Sequence, residues 1–159
     1  MALGAVHRVW ASVIEALLTS LAPRVLVEIG SDQAKNTRHL AEFSGRTGAV
    51  LHAIDPGPGF DFCAYETRYG PHFVFHRGTS LDSLPRVGAL QAVLIDGAHN
   101  WHTVYGELTL IDTLVREQGQ PFPLVLLLML TGLMEGATFT RLPTEFQGPA
   151  GSHTGGRVW

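Results

Sequence analysis

The stretch Val25-Leu-Val-Glu-Ile-Gly-Ser-Asp-Gln-Ala-Lys-Asn-Thr37 decides the fold. Val25 to Ile29 is a short apolar run broken only by Glu28, the pattern of a strand buried inside a parallel sheet. Gly30 permits a tight turn, and Ser31 and Asp32 suit the turn into a helix or its cap. Helical spacing resumes with Leu40 and Phe43, and Gly45 is placed to stop it. A strand, a glycine turn and a helix N-terminus in succession present backbone N–H groups to a ligand.

Working outward, Val50-Leu-His-Ala-Ile54 reads as a second strand with Asp55 at its end. In doubly wound domains an acid roughly 20 residues past the glycine turn accepts hydrogen bonds from a ribose. Glycine turn and acid together describe an adenosine-type cofactor site. The glycine signal is incomplete for a dinucleotide, because Asp32 and Lys35 stand where later glycines belong.

Composition narrows the classes. With 159 residues, 45% of them hydrophobic and 16% charged, the chain suits one globular domain with a core of its own. A net charge of −3 supplies no broad electrostatic footprint for nucleic acid. One cysteine, Cys63, excludes an internal disulfide and fits a reducing, cytoplasmic setting. No base is identifiable near it, so it is expected to be a packing or loop thiol. The N-terminal stretch has charged and spaced apolar residues, so an amphipathic helix is expected and not a secretory leader. Leu124 to Leu130 is far too short an apolar run to cross a membrane.

The remaining elements follow from spacing. Val6, Trp10, Val13 or Ile14, Leu17 and Leu21 predict a helix with one buried face, ended by Pro23. Pro56-Gly-Pro-Gly59 is a turn cluster, and Phe60 to Tyr69 is expected to be a loop with a short helix. His72 to His76 alternates as a third strand, and Leu81, Leu84 and Pro85 fit a short helix or irregular link. Ala92 to Ile95 is a fourth strand running into Asp96 and Gly97. Trp101 to about Gln118 is helical, with Val104, Leu108, Ile111 and Val115 inward and Glu107, Asp112 and Arg116 expected outside. Pro123 to Leu130 is a fifth strand, apolar enough to be central or covered on both faces.

Strands alternating with helices give an α/β domain with a mainly parallel sheet, and a Rossmann-like, doubly wound fold in the order 3-2-1-4-5 is expected. The domain is expected over residues 1–147, with 148–159 a flexible C-terminal tail rich in glycine. Ligands of such sheets bind at the carboxyl ends of the strands. Gly30 and Ser31, Asp55, Thr79 and Ser80, and Asp96 to His99 should therefore meet at one rim.

These residues carry a resemblance. The chain resembles class I S-adenosylmethionine-dependent methyltransferases, and more narrowly a small bacterial family with an Asp-Gly-x-His segment after the fourth strand. The matching stretches are Val27-Glu-Ile-Gly30, Ala53-Ile-Asp55, Gly78-Thr-Ser80 and Leu94-Ile-Asp-Gly-Ala-His-Asn-Trp-His-Thr-Val104. The resemblance implies S-adenosylmethionine as cofactor in place of a nicotinamide. It sets Glu28, Gly30 and Ser31 beneath the methionine part, Asp55 on the ribose hydroxyls and Thr79 and Ser80 near the adenine. Asp96 and Gly97 would complete the cofactor site.

Asp96 and His99 are the candidates for chemistry. Methyl transfer to a hydroxyl needs an aligned acceptor oxygen and a base or metal that removes its proton. Asp96 could hold a divalent cation such as Mg2+, with His99 as base or second ligand. The plainer alternative has Asp96 capping the next helix while His99 and Trp101 pack over the cofactor. His39, His52, His72, His76 and His102 lack ligand spacing and are expected to be ordinary structural residues.

The C-terminal third departs from the resemblance. Where the family carries a His-Asp pair and an aromatic, arginine-rich segment, this chain has Leu128-Met-Leu-Thr-Gly132. A neighbouring reading frame across 130–140 is expected to restore such a segment, which points to a local frameshift. The usual antiparallel sixth and seventh strands are also missing, so a truncated C-terminus and an exposed apolar edge at the fifth strand are expected. Such an edge favours self-association into a homo-oligomer. The first functional expectation is methylation of a small-molecule or saccharide-like hydroxyl. The second is a non-catalytic or degenerate cofactor-binding or assembly module of the same fold. A nicotinamide-dependent oxidoreductase is a third, permitted by Asp55 and opposed by the missing glycines.

Overall fold

The structure, a computed structural model, describes residues 10–98, 100–121 and 123–127. These belong to one compact unit within 1–129. The divergent segment 128–140, the boundary expected at 147, the tail and His99 lie outside the described residues.

Five parallel strands form one sheet in the order β3-β2-β1-β4-β5. They are β1 Val25–Ile29, β2 Val50–Ile54, β3 Phe73–His76, β4 Ala92–Ile95 and β5 Leu124–Leu127. The helices between them are α1 Glu15–Leu21, α2 Lys35–Thr47, α3 Phe62–Tyr69, α4 Ser80–Ser83 and α5 Trp101–Glu117. This is the doubly wound, Rossmann-like α/β architecture that the alternation predicts.

Each strand of the centre feeds two cores. Leu26, Leu51, Ala53, Phe73, Ala92 and Leu94 join α1 and α2 on one face. Val27, Ile29, Ile54, Val93 and Ile95 join α5 on the other. Double burial explains why β4 reads as an unbroken apolar run and β1 as one broken only by Glu28. The fifth strand sits at the edge, as the expected order places it, and among the described residues is neither central nor covered on both sides. Among the described residues β5 pairs only with β4, and Leu124 and Val125 are half-buried.

Three helical details also depart from the sequence pattern. A π-helical turn, Trp10–Ile14, precedes α1, and the buried stripe is Trp10, Ile14 and Leu18. Val13, Leu17 and Leu21 are exposed, because the wide opening turn rotates the inward face by one residue. Helix α2 runs past Gly45 and ends at Gly48, whose φ of 78° provides the left-handed cap and whose N–H donates to Ser44 O. Glu107 is buried, not outside. It lies on the stripe Val104, Glu107, Ile111, Val115, at steps of three and four.

Gly30 has φ +88° and sits where a Cβ would come within 2.5 Å of Gly97 Cα and 2.6 Å of Asp96 O. The turns leaving β1 and β4 therefore touch backbone to backbone. Gly48 shares the positive φ but has nothing within 4 Å of a Cβ. We expect Gly48→Ala to destabilise by about 1 kcal/mol and Gly30→Ala by at least about 2 kcal/mol more, since backbone must move as well. Urea unfolding of the two variants measures the difference. Equal losses would show that the close approach carries no energy.

Candidate functional site

At the carboxyl ends of β1, β2 and β4 opens a cleft of about 370 Å³. Ile29, Gly30, Asp32, Ile54, Asp55 and Pro56 line one part, and Thr79, Ser80, Asp96, Gly97, Ala98, Thr103 and Glu107 line the rest. Its size is within the range of small-molecule sites. A second cavity of similar volume lies at the amino ends of β1 and β2, around Arg24 and Gly48, away from these residues.

Asp55 is nearly buried and gathers the surrounding backbone. Its Oδ2 accepts from Ser31 N and Asp32 N, each at 2.9 Å, and its Oδ1 accepts from Gly57 N at 2.8 Å. The N–H groups of the glycine turn thus point at a carboxylate of their own chain, not at a ligand. A carboxylate removed from water needs donors, and the turn is the nearest supply. Of the roughly four acceptor directions a carboxylate has, three are taken by these donors. The loop between β1 and α2 is bent to reach this arrangement, with Asp32 and Ala34 both at positive φ. Helix α2 then starts at Lys35 with no side-chain cap.

Beside the turn, Asn36 Nδ2 donates to Asp96 Oδ2 at 2.8 Å, tying the end of β4 to the first turn of α2. Asp96 N in turn donates to Ile29 O. Asn100, and not Asp96, caps α5, since its Oδ1 accepts from Thr103 N. Among the described residues no group of three or more His, Cys, Asp or Glu is placed to hold a metal ion, so the cation expected at Asp96 gains no support there.

Also lining the cleft, Thr79 caps α4. Its Oγ1 accepts from Asp82 N and donates to Asp82 Oδ2. Ser80 Oγ donates to Glu107 Oε1 at 2.6 Å, while Glu107 Oε2 is buried with no hydrogen-bond partner among the described residues. Burial raises the Glu107 pKa, partly offset by the Ser80 bond. The residue is expected outside on sequence, although its steps of three from Val104 and four to Ile111 put it on the apolar stripe, where an acid needs a polar partner.

Glu28 and Ser31 lie beneath the cleft and do not line it. Glu28 sits between Ala53 and Leu94 in register and is fully buried. Burial pushes its pKa up to about 8, with Asp96 and Asp55 adding to the rise and the Thr37 and Ser31 hydroxyls opposing it. Ser31 Oγ reaches Glu28 Oε2 at 3.4 Å, a long contact. Glu28 is therefore mostly protonated at neutral pH and adds little charge under the two aspartates.

Two histidines regarded as unrelated in sequence are brought together. His52 Nδ1 and His76 Nε2 are 2.9 Å apart on β2 and β3, with the rings stacked. Burial lowers the His52 pKa to about 4, with His76 adding to the effect, and burial also lowers that of His76. His39 stacks on Trp10 and His72 Nδ1 contacts Ala49 O, both structural roles. Cys63 is exposed and free.

These shifts oppose each other in pH. Glu28 binds its proton more tightly when folded, so its contribution to stability is complete below pH 4.5 and is lost as pH rises to about 8. His52 binds its proton less tightly when folded, so its contribution is present above pH 6.5 and is lost as pH falls to about 4. We expect Glu28→Gln to flatten the alkaline limb of a melting-temperature profile and His52→Gln the acid limb. Thermal melts from pH 4 to 8 test this, and a Glu28→Gln profile parallel to wild type would contradict it.

The described helices include none long and apolar enough to cross a membrane. A comparison with curated proteins returned no match. The family model described as a methyltransferase domain matches residues 27–120, more than half the chain and the span that holds Gly30, Asp55, Ser80, Asp96 and Glu107. With a parallel sheet in the matching order and an acid-lined cleft at its switch point, this chain belongs to the methyltransferase-domain family.

Proposed function

We propose that the protein is an S-adenosylmethionine-dependent methyltransferase that methylates a hydroxyl oxygen on a small-molecule or saccharide-like acceptor. The observation that carries it is the sign of the cleft. Its charged lining among the described residues is Asp32, Asp55, Asp96 and Glu107, with no lysine or arginine. Such a lining repels the pyrophosphate of a dinucleotide and favours a cation. A sulfonium cofactor is a cation that also carries a ribose for Asp55.

When bound, that cofactor supplies an electrophilic methyl group. In this proposal Asp55 holds the ribose through its remaining acceptor direction and keeps the turn of Gly30 to Asp32 closed around it. Thr79 and Ser80 flank the base, and Gly30 and Gly97 keep the floor of the cleft free of side chains. Asp96, steadied by Asn36, takes the proton of the acceptor hydroxyl, and His99 is its proposed partner in that role. Removing the proton as the oxygen attacks is worth roughly 100-fold or more in rate.

A non-catalytic module of the same fold is favoured by one sequence feature, the absence of an acid or imidazole in Leu128-Met-Leu-Thr-Gly132. Titration separates the possibilities. We expect calorimetric binding of S-adenosylmethionine and S-adenosylhomocysteine, weakened about 10- to 100-fold in Asp55→Ala. That variant should also melt earlier, because three backbone donors, that of Ser31 buried, lose their acceptor. Binding followed by methyl transfer in an acceptor screen supports the enzyme, and binding without transfer supports the module. A folded wild-type protein that binds neither compound overturns both.

We also propose self-association through the outer edge of β5. Light scattering at high protein concentration checks it, and a monodisperse monomer counts against it.

A further inference from the structure

The His52–His76 pair takes no part in the chemistry proposed above, and neither ring lines the cleft. It stands at the margin of the sheet, where β3 has four residues and, among the described residues, pairs only with β2. His52 is in register with Val74 and Ile54 with His76, so the two rings are diagonal neighbours on one face of the ladder. With Nδ1 of His52 and Nε2 of His76 2.9 Å apart, one ring donates and the other accepts. Beside them run two main-chain bonds, Asp55 N to His76 O at 3.1 Å and Gly78 N to Asp55 O at 3.3 Å. Both are longer than the usual value of about 2.9 Å. The carboxylate of the same Asp55 gathers the N–H groups of Ser31, Asp32 and Gly57. The margin strand therefore bears on the cleft through main chain.

We propose that this pair is an acid-operated latch: neutral, it ties β3 to the end of β2, and charged, it lets the margin of the sheet open and loosens Asp55 in the cleft. The latch goes beyond the methyl-donor reading and acts on any ligand that Asp55 serves. Proton counting shows how it works. Two neutral rings carry one N–H each, and one of these lies in the shared bond. A first added proton takes the outer nitrogen of the donating ring and leaves that bond in place. A second must take the accepting nitrogen, which sets N–H against N–H and two like charges on adjacent strands. The surroundings resist charge on either ring. Burial lowers both pKa values, that of His52 to about 4, with His76 adding to the effect at His52 and Arg86 at His76. Across the strands His52 otherwise meets Val27 and Val74 in register, which carry no charge. Opening returns the rings to water, where they charge freely. The tie is therefore complete above pH 6.5 and is lost as pH falls toward 4.

The test is amide hydrogen exchange of the full chain, read by nuclear magnetic resonance as protection factors at pH 7 and pH 5. A ring whose pKa moves from 6.5 to about 4 on closing favours opening by about 10-fold or more over that span. The amides of Asp55 and Gly78 are expected to lose that much protection. At pH 5 they are expected to be less protected than those of Val27 and Leu94 at the centre of the sheet. His52→Gln keeps a hydrogen-bonding side chain that cannot charge, and it is expected to remove most of the loss. His76→Gln, which keeps the main-chain carbonyl that Asp55 N bonds, is expected to do the same. If Asp55 and Gly78 are as protected as the centre at pH 5, β3 opens only with the whole fold, which overturns the latch. A loss as large in both variants as in wild type overturns it as well, because the proton then acts elsewhere. Either result leaves the methyl-donor reading standing.

Discussion

The contact between the turns after β1 and β4 is the constraint on which the rest of the structure depends. At the centre of a doubly wound sheet the connections leave neighbouring strands in opposite directions and open a crevice between them. Here the two backbones come so close that no Cβ fits at Gly30, whose Cβ would lie 2.5 Å from Gly97 Cα. Asp96 N bonds back to Ile29 O across the same gap. The floor of the cleft is therefore main chain, and every functional side chain stands around it.

A second constraint follows from burial of charge. Asp55 and Glu28 are both shielded from water near this floor, but they meet the problem differently. Asp55 gathers three backbone N–H groups and holds the loop beside it. Glu28 finds only weak partners and keeps its proton, with its pKa pushed to about 8. A charged acid above and a neutral one below leave the cleft negative without placing a bare charge inside the sheet. Glu107 is an intermediate case, with one oxygen satisfied by Ser80 and the other buried without a hydrogen-bond partner among the described residues.

The departures from the sequence pattern come from contacts that local spacing does not carry. Ser31 and Asp32 look like helix caps, yet their N–H groups go to Asp55, and α2 begins later without a side-chain cap. Gly45 looks like a stop, yet nothing prevents the helix from running on to Gly48, where the left-handed turn satisfies Ser44 O. Leu17 and Leu21 look inward by spacing, yet the π-helical turn at Trp10–Ile14 moves Leu18 into their place.

Local pattern by itself determined the five strands, their alternation with helices, the parallel sheet and the acid at the end of β2. Those features depend on apolar period, turn chemistry and the handedness of parallel connections, all of which act within a few residues or follow a general rule. Only the tertiary structure decided which polar groups answer one another. The pairing of Ser80 with Glu107, of Asn36 with Asp96 and of His52 with His76 joins residues between 24 and 60 positions apart. A hydrogen bond is made or missed over a few tenths of an ångström, and strand register and helix rotation set that distance. Sequence spacing carries the periods of the elements but not the rotation of one against another, and the chemistry of the cleft depends on the latter.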